Sequence, residues 1–336
     1  MAETSGLQLW LKINGALYLG LGLLAYGVKF GLTWHDAGAP LTISDLKFHP
    51  YYNMIIILYF CMGPYLMFAS VDPAKHKALL SYNIWGMGFA HGLIATIAVF
   101  SHFEPLGYYG PSVFGDIPET VGGINNWDKL ILACPTWFLL GTTNLVFAKM
   151  NLDSYLLPWE VMQAPTDTAA LTGQQIWMKI NGVLYLGLGL LAYGVKFGLT
   201  WHDAGAPLTI SDLKFHPYYN MIIILYFIMG PYLLQASADP AQCKSLISYV
   251  IWAMGFAHGL IATLAVFSHF EPLGYYGPSV FGDIPESVGG INNWDKLILA
   301  CPTWFLLGFT SLYFAKKNLG SYLFPWEPME KYEQLP

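Results

Sequence analysis

Residues Leu17–Phe60 read LYLGLGLLAYGVKFGLTWHDAGAPLTISDLKFHPYYNMIIILYF, and residues Leu184–Phe227 repeat them letter for letter. An apolar run, a loop rich in aromatics and charges, and a second apolar run are thus used twice. A further block, Gly88–Gly141, returns as Gly255–Gly308 with Leu264 in place of Ile97 and Ser287 in place of Thr120. Both blocks share an offset of 167 residues, so the chain reads as a tandem duplication. The units run over residues 1–150 and 176–336, joined by a linker at 151–175.

Working outward, each unit holds four apolar segments, near Leu7–Val28, Tyr52–Ala69, Leu79–Phe100 and Leu130–Ala148. Each is close to the ~20 residues that a bilayer-crossing helix needs. The composition agrees: 55% hydrophobic, 11% charged, mean hydropathy +0.46. The expectation is therefore an all-α integral membrane protein with eight transmembrane helices, arranged as two four-helix bundles. Four helices per unit return the chain to its starting side, so the repeat is parallel and its pseudo-twofold axis lies along the membrane normal. Both termini then share a side with the Asp-Pro turn at Ser70–Lys77. That side carries nine lysines against nine acids, and the opposite side six against twelve. The positive-inside rule places the termini on the cytoplasmic, stromal or matrix side.

All 15 basic residues are lysine, so the usual bidentate clamp for phosphate is missing and nucleic acid is not an expected partner. No nucleophile elbow, phosphate-cradling loop or metalloprotease pair occurs, which argues for a non-catalytic protein. The four cysteines lie outside the long loops, and Cys134 and Cys301 read as small apolar core residues.

Two residue sets could carry chemistry. His91 and His258 sit in mid-segment, where an ionisable group is costly and faces protein rather than lipid. On a regular helix Gly88, Gly92 and Ala95 share the face of His91, which directs it into a close helix contact. A neutral imidazole hydrogen-bonded across that contact is one reading. Axial ligation of haem or chlorophyll, with His91 and His258 as cofactor-binding residues, is the other. The second set lies in the loops: His35, His49, His102, Glu104, His202, His216, His269 and Glu271 are weak candidates for a metal, because none has ligand spacing on a defined element. Structural or solvated roles are the preferred reading of these loop residues.

The copies differ unevenly. Between Cys61 and Met87 ten of 27 positions change, among them Phe68 to Gln235, His76 to Cys243 and Asn83 to Val250. The outer blocks are almost unchanged, so the inner faces are expected to meet different neighbours.

The run Ala69–Lys77 with its Asp72-Pro73 turn and His76, followed by Trp85, His91 and Gly115-Asp116-Ile117-Pro118, resembles a small four-helix bacterial integral membrane family of unknown function. The likeness covers about half of each unit. It implies a four-helix bundle and no particular activity. The chain departs from the pattern in its duplication, its longer loops and Cys243. The functional expectation is an accessory subunit of a larger, energy-transducing membrane assembly, in contact with lipids and other membrane subunits. A haem- or pigment-binding redox module and a lipid- or small-solute-handling protein are the alternatives.

Overall fold

A computed structural model describes residues 5–28, 50–102, 120–121, 124–161, 172–195, 217–269, 287–288 and 291–327. The described chain is all-α apart from two hairpins with two-residue strands, β1 (Thr120–Val121) with β2 (Ile124–Asn125) and β3 (Ser287–Val288) with β4 (Ile291–Asn292).

In the first half α1 runs over Gly6–Val28 and α2 over Pro50–Ala69. A helical rod from Lys77 to His102 follows, made of α3 (Lys77–Tyr82), a π-helical segment (Asn83–Ala90) and α4 (His91–His102). Helix α5 spans Asn126–Leu152, and one turn, α6, covers Pro158–Val161. The second half repeats this order: α7 (Gly173–Val195), α8 (Pro217–Ala236), α9 (Lys244–Tyr249), a π-helical segment (Val250–Ala257), α10 (His258–His269) and α11 (Asn293–Leu319).

Local chemistry sets the helix starts. Ser5 and Gln8 form a reciprocal capping box, Ser5 N–H donating to Gln8 Oε1 (2.9 Å) and Gln8 N–H to Ser5 Oγ (3.2 Å). Thr172 and Gln175 do the same ahead of α7. The free amide of Gln8 then reaches the carbonyl of Val71, and that of Gln175 the carbonyl of Ala238. Trp10 Nε1 donates to Asn144 Oδ1 at 3.0 Å. The start of α1, the turn after α2 and the last third of α5 therefore meet at one end.

Glycine sets how closely helices approach at two crossings. A Cβ on Gly15 would lie 2.7 Å from the carbonyl oxygen of Gly63, and one on Gly63 would lie 2.8 Å from that of Gly15, so α1 and α2 pack backbone to backbone. Gly88 meets Gly141 in the same way, with 2.7 Å from a built Cβ to the Gly141 Cα.

Among the described residues one helix, Lys244–Leu264, is long and apolar enough to cross a membrane by length and composition. Asn53–Ala69 and Asn220–Ala236 are shorter apolar helices. The segment read as a linker begins inside the packed structure: α5 continues to Leu152, and Leu156 is fully buried.

Candidate functional site

Three features gather the polar chemistry of the described residues. The first is a buried trio in each half. His91 opens α4 directly after the π-helical segment and has no exposed surface. Its Nε2 lies 2.8 Å from the Tyr59 hydroxyl on α2, and its ring stacks on Trp137 of α5 at 4.8 Å and 14°. In the second half His258 Nε2 lies 2.6 Å from the Tyr226 hydroxyl, and the ring packs on Trp304 at 4.7 Å. A phenol and a neutral imidazole each carry a donor and an acceptor, so one hydrogen bond joins them in each trio. Small neighbours admit the packing: Gly92 leaves room for the Cβ of Trp137, and Ala95 is fully buried. The wide π-turns shift the phase ahead of the histidine; interruptions of this kind recur at functional positions.

The second feature is the seam between halves, where most of the tyrosine and serine contacts occur twice with the halves exchanged. Tyr65 of α2 stacks edge-on against Tyr249 of the second half, and Tyr232 of α8 against Tyr82 of the first. Tyr82 and Tyr249 meet each other at 5.9 Å. Ser248 Oγ donates to the Leu323 carbonyl (2.5 Å), so the Tyr65 hydroxyl, 2.8 Å away, must be the donor to Ser248. Likewise Ser81 Oγ donates to the Leu156 carbonyl (2.6 Å) and accepts from Tyr232 (2.7 Å). Tyr82 and Tyr249 donate across the seam to the carbonyls of Leu225 and Leu58. The accepting leucines hold left-handed backbone, φ 49 at Leu156 and φ 51 at Leu323, which costs a branched residue ~1–2 kcal/mol. Trp85 and Trp252 indoles donate to the same two carbonyls and help to hold those turns.

The third feature breaks the reciprocity. At one end of one seam, beside the Asp72-Pro73 turn, His76 and Ser245 line a pocket with Tyr65, Ser248 and Ser321. Burial lowers the His76 pKa from 6.5 to about 4; Asp72 pulls it back up, and Lys75 pushes it further down. The equivalent Cys243 is also buried, and burial, aided by Asp239, pushes its thiol up to about 12, leaving an inert small residue.

Of the residues read as candidates, His91 and His258 lie in the trios. His35, His49, Glu104, His202, His216 and Glu271 lie outside the described residues. His102 and His269 end α4 and α10, but their side chains fall outside the description. Among the described residues no three of His, Cys, Asp and Glu come together as a metal site. Tyr59, Trp137 and the seam tyrosines escaped the sequence reading; the only signal in the chain is that each recurs at the 167-residue offset. No protein-family model, characterised protein or solved structure matches the chain.

Proposed function

We propose that this chain is a non-catalytic accessory subunit of a larger membrane assembly, inserted as two four-helix units. The observation that carries the reading is an extensive apolar surface on helices that also bury polar side chains. On α1 Leu9, Ile13 and Leu17 form an exposed row at four-residue spacing, and on α7 Ile176, Ile180 and Leu184 repeat it. Leu139, Val146 and Met150 on α5 and Leu306, Phe309 and Tyr313 on α11 continue the apolar surface. The buried side of the same helices holds Asn14, Asn144, Asn181 and Ser311. Apolar surface on this scale calls for a lipid or protein cover rather than water.

Two further features support the same reading. Trp159 and Trp326 stand exposed beyond α5 and α11, and the ammonium groups of Lys149 and Lys316 sit over the rings of Tyr155 and Tyr322. Such a belt of aromatics and lysines suits a headgroup layer. The resemblance to a four-helix membrane family points the same way, and the divergence of the inner turns fits different neighbours for each half.

Solubilisation in mild detergent followed by native mass measurement and subunit identification tests the proposal. Reproducible companion subunits support it, and an isolated monomer or homodimer counts against it. The pigment-binding alternative draws less support, since both imidazoles are fully buried and packed against tyrosine and tryptophan rings. A Soret or chlorophyll band in stoichiometric yield would revive it.

A further inference from the structure

The pocket at one end of one seam measures about 20 Å³. One water needs roughly 10–15 Å³ and two or more polar partners. Two buried polar atoms without a hydrogen-bond partner belong to residues lining this pocket, His76 Nδ1 and Ser245 Oγ. They come from opposite halves, and their residues are 9% and 4% exposed. A buried polar atom left unbonded destabilises the fold, so two in one pocket call for a shared partner. At the other seam the equivalent positions are Cys243 and Ala78, neither of which brings a nitrogen or oxygen side-chain atom to satisfy. The polar pair and the apolar pair have thus been exchanged together, one member from each half.

We propose that this seam binds one structural water, bridging His76 Nδ1 and Ser245 Oγ, with the Tyr65–Ser248 hydroxyl pair lining the same pocket to take up its remaining valences. A neutral imidazole nitrogen and a hydroxyl can each complement a water, which both donates and accepts. The bridge fastens the turn after α2 to α9 at one seam only. The two otherwise reciprocal seams therefore differ in what holds them shut.

A density map of the full chain in nanodiscs, at a resolution that shows waters, tests the site directly. The account expects a peak within hydrogen-bonding distance of both atoms, and a second peak at the other seam in the double variant Cys243→His, Ala78→Ser. Melting of His76→Cys, Ser245→Ala and their combination supplies an independent test. Each single substitution lowers the melting temperature, and the double variant melts no lower than the worse single. A map that resolves other buried waters but shows no peak here would overturn the proposal, as would additive losses in the double variant.

Discussion

Tyr65 donates across the seam to Ser248, 2.8 Å away, and Ser248 in turn donates a hydrogen bond to the carbonyl of Leu323. The serine is the junction of the two contacts, so the two residues are not equivalent on deletion. Ser248→Ala leaves the buried Tyr65 hydroxyl without an acceptor and takes a donor from a strained turn, an expected loss of about 1–3 kcal/mol. Tyr65→Phe leaves Ser248 bonded to Leu323 and costs about 1 kcal/mol. Thermal unfolding in detergent checks the order, and the Ser81→Ala and Tyr232→Phe pair should reproduce it from the other half.

The His91–Tyr59 pair gives a second prediction. Tyr59→Phe takes the hydroxyl from a fully buried imidazole nitrogen, and His91→Leu takes that imidazole from the phenol, each costing about 1–3 kcal/mol. Removing both costs less than the sum, because the shared hydrogen bond is lost only once. A double-mutant cycle on unfolding reads the coupling. Additive losses would mean that the hydrogen bond contributes nothing.

Acid should weaken the turn after α2 through His76. Folding holds this imidazole neutral down to about 4, whereas the unfolded chain takes up its proton near 6.5. The contribution is therefore fully present above pH ~6.5 and is lost as the pH falls toward about 4, by roughly 3 kcal/mol at most. His76→Cys, which copies the second half, should flatten that window in a melting-temperature profile.

Asp153 ends α5 with φ 50, where the equivalent residue of the second half is Gly320 with φ 69. Asp153→Gly relieves the left-handed strain but loses the 2.7 Å pair with Lys149. That pair lies in water and is worth little. A net gain of up to ~1 kcal/mol is expected, and a fall in melting temperature would contradict it.

Gly63 admits no side chain beside α1, because a Cβ there would also meet Leu19 Cγ at 2.6 Å. Gly63→Ala should cost about 1–3 kcal/mol through forced separation of α1 and α2. Gly20, with open space around it, should accept Ala without loss.

Much of this fold is legible in the sequence, and particular residues show why the rest is not. Long apolar runs give the helices within a few residues, and Gly88, Gly92 and Ala95 point His91 into a helix contact. The π-helical segment before it has no compositional mark: Gly86 lies within it in one half, Ala253 in the other, and both halves adopt it. Helix α2 is apolar on every side, so periodicity cannot tell that Tyr59 faces His91 while Tyr65 faces the opposite half. Leu156 lies in a Pro-containing stretch that reads as a connector, yet it is a buried acceptor at the seam. Packing partners chosen across 143–191 residues of chain leave no local pattern to read.

The central claim is that this chain works inside a larger membrane assembly, and its native mass in the gentlest detergent that releases it from alkali-washed membranes tests that claim most directly. The account predicts a particle far heavier than the 37.4 kDa chain, with the same companion subunits in each preparation. A particle of one or two copies of the chain alone, or recovery in the soluble fraction before any detergent, would contradict it.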